Sequence, residues 1–291
     1  MLNTALSSRE QAQARLMQEI DAFRRAHPAC IHNFDLSKTV YLHEHTHLER
    51  AEGVLFLSSE RYDFNEIIFF ADGMNLLPDA LAALFRKLGV QKRFRITLNY
   101  QQSDPENENE LVRTLFQSGF VRAKRLARIR AKFDENRRAL CQKLTDPIPY
   151  TPEFARLGDE QEILDFLREE FDPLADNLPT LAEIRENIEK RQVAVIRNES
   201  RILSAHYFTA QNHIYYGWYD ITRKEHRGDF LFLKIELFVN DYFRQNGIRF
   251  KRAYGWRDIT NKRHKREDKL AGKSWESVFT DYLLWPGEAS R

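Results

Sequence analysis

One segment of the chain combines cations with a glycine in a pattern that could bind phosphate. It reads RKEHRGDF at positions 223–230 and contains Arg223, Arg227 and Gly228. It follows a predicted strand and precedes an apolar helix predicted over 228–247. The first turn of a helix presents unpaired N–H groups and the positive end of the helix dipole, which suit a pyrophosphate. A solvated basic turn is the alternative interpretation.

A second feature is an internal echo of seven residues. YGWYDIT (216–222) and YGWRDIT (254–260) each end one of the two strands that flank the predicted helix. A strand, a helix and a strand in succession predict a right-handed parallel crossover. We therefore expect Gly217 and Gly255 to be neighbours, and a glycine inside a strand is typical of a bulge or of close backbone approach.

The side chains of the echoed strands divide into apolar and acidic candidates. A period of two places Tyr216, Trp218 and Asp220 on one face of the first strand. Core packing explains the aromatic rings. The aspartates at the strand ends are better candidates for chemistry, because ligands gather at the carboxyl ends of parallel strands.

The elements that must position these residues follow from hydrophobic periodicity and turn signals. In the second half, Thr180 with Glu183 three residues later is typical of a helix-capping box. The predicted order there is helices over 159–170 and 180–190, strands over 193–198, 201–208 and 213–221, the helix 228–247, a strand over 248–259, a helix over 262–272 and a strand over 274–285.

The first half repeats a similar order. Its predicted elements are a helix over 8–25, strands over 38–45, 53–59 and 65–71, a helix over 78–88, a strand over 93–100 and a helix over 108–120. Three closely spaced prolines, Pro147, Pro149 and Pro152, predict an extended linker between the halves. The sequence thus predicts two domains, 1–145 and 146–291.

The second half resembles the GNAT superfamily of acyl-CoA-dependent N-acyltransferases in its element order. Members often carry an asparagine eleven residues before a helix-ending glycine, here Asn261 and Gly272. The family loop Arg/Gln-x-x-Gly-x-Gly/Ala is only partly matched by 223–230, and Asp268 stands where a helix tyrosine often protonates the thiolate. The first half resembles an eroded copy, because its ADGMNLLPDA (71–80) has no cation at the equivalent loop.

The resemblance implies an α+β fold of two GNAT-like domains, each a mostly antiparallel sheet with a parallel, splayed strand pair and flanking helices. It implies that the second domain binds acetyl-CoA or another acyl-CoA in the gap between the splayed strands, like an added strand. The residues it implies for coenzyme binding are Ile221, Thr222, Arg223, Arg227, Gly228, Asp229 and Asn261.

The implied reaction is acyl transfer to an amine of a small molecule or peptide. A carboxylate or histidine takes a proton from the amine, and a backbone N–H stabilises the oxyanion. Asp220 and Glu225 lie closest to the expected position of the base, with His226 next. Tyr254 or Tyr219 is the candidate acid for the leaving thiolate.

Composition limits the other classes of function. Phe (21), Tyr (11) and Trp (4) among 291 residues favour packed domains over disorder. Lys and Arg (45) nearly balance Asp and Glu (43), so a nucleic-acid partner is not expected. Two cysteines exclude a disulfide framework and favour the cytoplasm. No apolar run is long enough to span a bilayer, so no membrane partner is expected.

Three further features stay open. His43, His45 and His47 alternate, but a solvated strand explains them better than a metal site, and no metal is expected. The segment 121–133 is a basic strand or a solvated helix. The basic run 262–268 either holds the 3′-phosphate of coenzyme A or is solvated.

The alternatives to an acyl-CoA enzyme come from different classes. An acyl-carrier-protein thioester is an alternative donor that suits the incomplete loop and the basic segment. A Fem-like transferase would take its acyl group from aminoacyl-tRNA, although the chain is short for that family and lacks its helical arm. A non-catalytic GNAT-like scaffold is the third possibility. Either a monomer or a homodimer is compatible with the sequence.

Overall fold

The structure is a computed structural model of the chain. It describes residues 8–35, 42, 45–61, 64–89, 93–101, 109–131, 135–173, 176, 178–199, 201–211, 213–259 and 274–284.

Helices and strands alternate along most of the described chain. The helices are α1 (Ser8–Ala26), α2 (Leu77–Leu88), α3 (Glu110–Gln117), α4 (Glu135–Thr145), α5 (Glu160–Glu170), α6 (Leu181–Glu189) and α7 (Leu231–Gln245). The strands are β1 (Ile31–His32), β2 (His47–Ala51), β3 (Val54–Glu60), β4 (Phe64–Ala71), β5 (Arg93–Gln101), β6 (Val121–Ala131), β7 (Pro152–Phe154), β8 (Val193–Asn198), β9 (Arg201–Gln211), β10 (Ile214–Thr222), β11 (Arg252–Asp258) and β12 (Ser274–Leu284).

The chain divides into two compact units. Unit 1 comprises 1–125 with 278–291, and unit 2 comprises 126–277. The predicted division into two similar domains, 1–145 and 146–291, stays a prediction. The units place α4 in unit 2 and most of β12 in unit 1.

Unit 1 is a sheet covered by helices on both faces. Strands β2, β3 and β4 pair antiparallel, and β5 joins β4 in parallel. The alternation of β3 explains the layers, since Leu55 and Leu57 pack under α1 while Val54 and Phe56 lie in the core with α2 and α3.

The parallel strands of unit 1 part after a short pairing, and one side chain fills the space between them. Pairing of β4 with β5 ends at Glu66 and Arg95, although both strands continue. Beyond it, the Asn33 amide donates to the carbonyl oxygen of Ile67 at 2.9 Å and to that of Thr97 at 3.3 Å. Its Oδ1 accepts the N–H of Phe69 at 2.8 Å. Asn33 is only 4% exposed.

A buried ion pair marks the point where these strands part. Arg95 Nε lies 2.6 Å from Glu66 Oε2, and both side chains are at most 3% exposed. The Thr97 hydroxyl donates to Asp281 at 2.7 Å, and it also lies 3.3 Å from Glu66. Burying such charges costs solvation energy, which this hydrogen-bonded arrangement offsets.

The strands of unit 2 lie in the order β6–β11–β10–β9–β8–β7. The β10–β11 pair is parallel and the other pairs are antiparallel. Helices α5 and α6 pack on one face over Val193, Val195 and Ile202. Helix α7 packs on the other face over Phe208 and Tyr215. As predicted, β10, α7 and β11 form a parallel crossover.

The architecture confirms the predicted α+β class, because the strands of each unit pair mostly antiparallel, include one parallel pair and are flanked by helices. It also confirms the capping box, because the Thr180 hydroxyl and the Glu183 carboxylate each accept the other residue's N–H. Segment 121–131 is a strand, not a helix. The predicted linker contains the short strand β7, and α4 before it was not predicted.

Some sequence predictions lie outside the described residues, namely the helix over 262–272, the basic run 262–268, His43 and most of the strand over 38–45. The described part of the chain contains no helix long and apolar enough to cross a bilayer. It also contains no group of three His, Cys, Asp or Glu side chains arranged to hold a metal ion.

Candidate active site

The two parallel strands of unit 2 separate at the echoed glycines. Strands β10 and β11 pair from Ile214 with Arg252 to Gly217 with Gly255, where the described pairing stops. Strand β10 nevertheless stays paired with β9 as far as Thr222. Strand β11 likewise stays paired with β6 as far as Asp258. The glycines are therefore neighbours, as the sequence predicted, and a gap opens beyond them.

A bulge in β10 changes which side chains face the two sides of this gap. The register of β10 against β9 shifts between Gly217 and Tyr219, so Asp220 lies opposite His206. Without the extra residue, Asp220 would share a face with Tyr216 and Trp218. The prediction of a shared face was wrong, because the bulge turns Asp220 to the α7 side.

The echoed aromatic residues form a stack on the opposite side. The rings of Trp218 and Trp256 lie 4.5 Å apart and nearly parallel, at 11°. Tyr216 stacks on Tyr254, with ring centroids 5.6 Å apart. Because Trp218 packs against the core below α5 and α6, these rings act mainly as packing, as the sequence indicated.

A pocket of about 530 Å³ lies on the α7 side of the gap, wholly within unit 2. The strands contribute the two glycines and a set of polar side chains, while α4 and α7 supply most of the apolar wall. Its lining residues that carry ionisable side chains or mark the gap are Arg138, Cys141, His206, Tyr215, Gly217, Asp220, Glu236, Arg244, Arg249, Tyr254, Gly255 and Arg257.

Three of these side chains form a chain of hydrogen bonds from the core to the pocket. Tyr215 contacts His206 Nε2 through its hydroxyl, and His206 Nδ1 contacts Asp220 Oδ1. Side-chain exposure rises from 8% for His206 to 34% for Asp220. Asp220 is therefore the member of the chain that a ligand in the pocket reaches most easily.

The charges around this chain keep its buried end protonated. Burial raises the pKa of the Tyr215 hydroxyl well above its usual value, and the negative charges of Asp220 and Glu236 raise it further. On the pocket side, the Arg257 guanidinium lies 4.0 Å from Asp220 Oδ2. A cation at this distance favours the ionised carboxylate.

Arg223, the first cation of the predicted phosphate loop, turns into the protein. It is 8% exposed and stacks over the Phe166 ring at 4.4 Å. Its Nε donates to the carbonyl oxygen of Ile202, and its Nη1 lies 3.1 Å from Glu169. These contacts join the loop to α5.

The rest of the loop lies at the start of α7. Arg227 forms an ion pair with Glu170 and retains 49% side-chain exposure. Gly228 has a φ of +124°, which L side chains rarely adopt, and a Cβ there would meet open space. Asp229 accepts from His226 at 2.9 Å. Lys224 is exposed.

The cap of α7 has an unusual backbone. Phe230 precedes the helix with a φ of 55°, in the left-handed region, and its side chain makes no capping hydrogen bond. The helix begins at Leu231. In this first turn, the N–H groups of Leu233 and Lys234 donate to the carbonyl oxygen of Phe230, and the positive end of the helix dipole faces the loop.

The remaining predicted site residues lie in different places. Tyr254 borders the pocket at the gap, but its ring stacks on Tyr216 on the opposite side, with Arg128 over it at 5.0 Å. Tyr219 packs on the opposite face, with its hydroxyl 3.4 Å from the carbonyl oxygen of Asp176. Glu225 is exposed, 3.5 Å from Arg201, and does not line the described pocket. A backbone hydrogen bond, together with the charge of Arg201, lowers the pKa of its carboxyl.

Two residues of β10 that were predicted to contact coenzyme A instead make contacts within the sheet and its core. Ile221 is buried in the core under α5 and α6. The hydroxyl of Thr222 lies 2.9 Å from that of Ser204. Asn261 lies outside the described residues.

Sequence reasoning missed His206 and Tyr215. Neither belongs to a motif, and both enter the site through the register of β9 against β10, which no short pattern reveals. A glycine inside each echoed strand was the available signal for a bulge, and it marked the correct place.

A mixed sheet whose central parallel strands part beside a helix N-terminus, repeated along one chain, is the fold of GNAT N-acetyltransferases in tandem. A solved tandem GNAT protein from the clavulanic acid biosynthesis pathway, without AcCoA, matches this chain with a TM-score of 0.57 and 13% identity, covering 96% of each chain.

Two other solved structures of similar length are similar in fold. A GCN5-related N-acetyltransferase-like protein from Streptococcus suis matches with a TM-score of 0.52 and 14% identity, over 93% of this chain and 98% of its own. A GCN5-related N-acetyltransferase from Kribbella flavida matches with a TM-score of 0.51 and 13% identity, over 94% and 95%. No protein-family model and no curated protein matches the sequence.

Proposed function

We propose that this chain is an N-acyltransferase whose unit 2 takes an acyl group from a coenzyme A thioester and transfers it to a primary amine. The observation that supports this most directly is the gap that opens between β10 and β11 after the Gly217–Gly255 pair, beside a pocket containing a carboxylate. Backbone groups at a strand edge can pair with the amides of a pantetheine arm as they would with another strand.

The diphosphate of the donor would bind where the loop meets α7. Gly228 keeps the backbone open there, and the N–H groups of Leu231 and Phe232 begin the helix. Arg227, Asp229 and Asn261 remain the side chains proposed for coenzyme binding, and Ile221, Thr222 and Arg223 would support the loop from the sheet.

The chemistry requires one proton acceptor and one proton donor. The neutral amine attacks the thioester carbonyl carbon, a C–N bond forms, and the C–S bond breaks. Asp220 takes the proton that the amine nitrogen loses. Tyr254 is the proposed acid for the departing thiolate, which it would reach through the gap, because its ring stacks on Tyr216 on the side opposite the pocket. A backbone N–H of the gap stabilises the oxyanion between these steps. Glu225 and Tyr219 are the weaker candidates, because both lie away from the described pocket lining.

Only unit 2 would bind the donor. In unit 1, the Asn33 side chain already pairs with both strands where they part, so a thioester has no free backbone edge there. We therefore propose one donor site per chain.

Donor binding can be tested with the full-length protein and acetyl-CoA. Saturating acetyl-CoA should raise the melting temperature, and free thiol should appear when amines are added. Arg227→Glu should abolish the shift, because it places a negative charge beside the diphosphate. Arg185→Glu is the matched control, since Arg185 is a 64% exposed cation on α6. No stabilisation by any acyl-CoA would reject coenzyme A as the donor.

One observation favours a carrier-protein thioester as a second candidate donor. Glu169 and Glu170 engage Arg223 and Arg227, which lowers the positive charge available for a diphosphate. A carrier-bound pantetheine has a single phosphodiester and needs less charge. Measuring KM for acetyl-CoA and for acetyl-pantetheine distinguishes the two donors. A much higher KM for acetyl-pantetheine would support coenzyme A as the donor, whereas equal KM values would support a carrier protein. Binding without thiol release would support a scaffold.

A further inference from the structure

We propose that His206 is a positioning residue that holds Asp220 in its reactive orientation, and that Tyr215 fixes the imidazole tautomer that does so. The proposal rests on the proposed function, in which Asp220 takes the proton of the amine. His206 and Tyr215 carry no sequence motif, so this assignment comes from their geometry alone.

Hydrogen-bond chemistry fixes the order of donors along the chain. An ionised carboxylate only accepts hydrogen bonds, so His206 Nδ1 must carry a proton to bind Asp220 Oδ1. In a neutral imidazole the other nitrogen, Nε2, then has a lone pair and accepts the hydroxyl of Tyr215. The arrangement therefore requires Tyr215 to remain a donor.

The surroundings of Tyr215 keep its proton in place. The ring is enclosed by Phe208, Phe243 and Phe250, with centroids 5.2, 6.2 and 5.5 Å away. Burial and the nearby negative charges raise the pKa of its hydroxyl. Tyr215 thus donates at neutral pH and excludes the tautomer protonated at Nε2.

The consequence for Asp220 concerns its second oxygen. Oδ1 is held by His206, while Oδ2 lies on the side of Arg257. A carboxylate fixed through one oxygen presents the other in one direction, which is the orientation that proton transfer from a bound amine needs. The charged groups that line the pocket around it come from α4, β10, α7, the segment after α7 and β11, namely Arg138, Asp220, Glu236, Arg244, Arg249 and Arg257.

The tautomer can be measured without a substrate. Nitrogen-15 NMR of the full chain with labelled histidine distinguishes the protonated from the unprotonated ring nitrogen, and His206→Asn identifies the signals of His206. We expect a proton on Nδ1 in the wild type and a mixture of tautomers in Tyr215→Phe. A proton on Nε2 in the wild type, or an unchanged tautomer in Tyr215→Phe, would overturn the proposal.

The role in turnover needs a kinetic comparison. His206→Leu should lower kcat about 100-fold with little change in the KM of the donor, and should move the acidic limb of the pH–rate profile to higher pH. His206→Asn should recover much of the rate, because its amide can donate from near the Nδ1 position. Equal loss in both variants, with unchanged pH profiles, would contradict positioning.

Controls separate this proposal from the proposed function. His213→Asn should leave kcat unchanged, because His213 is exposed with a φ of 61° that asparagine tolerates. If the wild type neither binds an acyl thioester nor releases thiol, the proposed function fails while the NMR result still decides the tautomer. If thiol is released but His206→Leu is as active as wild type, only the positioning role fails.

Discussion

Replacing Asn33 by alanine tests the closed gap of unit 1. The change removes three hydrogen bonds at once, to Ile67, Phe69 and Thr97. The buried N–H of Phe69 is left without its acceptor, at a cost of about 1–3 kcal/mol, and each carbonyl loses a donor worth about 0.5–1.5 kcal/mol. The free energy of unfolding of unit 1 should therefore fall by about 2–6 kcal/mol.

Two measurements check this value. Urea unfolding followed by circular dichroism gives the change in free energy of unfolding, fitted with more than one transition if the units unfold separately. Hydrogen exchange with mass spectrometry locates the change, since peptides covering β4 should lose protection while those covering β10 should not.

A control of the same residue type makes the result decisive. Asn99 is an exposed asparagine of β5 whose amide lies 3.3 Å from Asp35, so Asn99→Ala should change stability by about 0.5 kcal/mol or less. If Asn33→Ala costs no more than Asn99→Ala, and β4 keeps its protection, the reasoning that Asn33 closes the gap is refuted.

Three further changes test other parts of the structure. Glu66→Gln should lower the free energy of unfolding by about 3–5 kcal/mol in urea unfolding, because it removes the carboxylate charge beside the buried Arg95 guanidinium, and a loss below 1 kcal/mol would contradict this. Thr180→Ala should lower the free energy of unfolding by about 1 kcal/mol, because it removes the N-cap of α6. An unchanged urea midpoint would show that this cap does not stabilise the fold. Because the pKa of Tyr215 is higher in the folded than in the unfolded chain, its contribution to stability is complete below about pH 10 and is lost as the pH rises through the folded value. Tyr215→Phe should therefore lose less stability than the wild type when unfolding is measured at increasing pH above 10, and parallel curves would argue against the raised pKa.

The sequence predicted those parts of the fold that depend on local pattern. The crossover followed from the order of one strand, one helix and one strand, and it placed Gly217 beside Gly255. The α6 cap followed from Thr180 and Glu183. The sequence did not predict helix α4, because its apolar residues do not follow a clear helical period and it lies next to a proline-rich segment.

The site was less predictable, because its geometry depends on register and on side-chain paths. His206 reaches the pocket through its pairing with Asp220 across two strands, which the spacing of neither strand reveals. Its charge and position predicted that Arg223 binds phosphate, but its long side chain turns inward and stacks on Phe166. A charge count does not specify the direction of a flexible side chain.

The bulge in β10 sets which face of the sheet each later residue of the strand occupies. Side chains along a strand alternate between its two faces. The extra residue between Gly217 and Tyr219 shifts this alternation by one, so residues before and after it occupy opposite faces from those that simple alternation predicts. Deleting one residue there would change almost nothing else in the sequence, yet it would turn the Asp220 carboxylate from the pocket side to the opposite face of the strand. In this strand, the face that Asp220 presents therefore depends on the length of this short segment and not on residue identities alone.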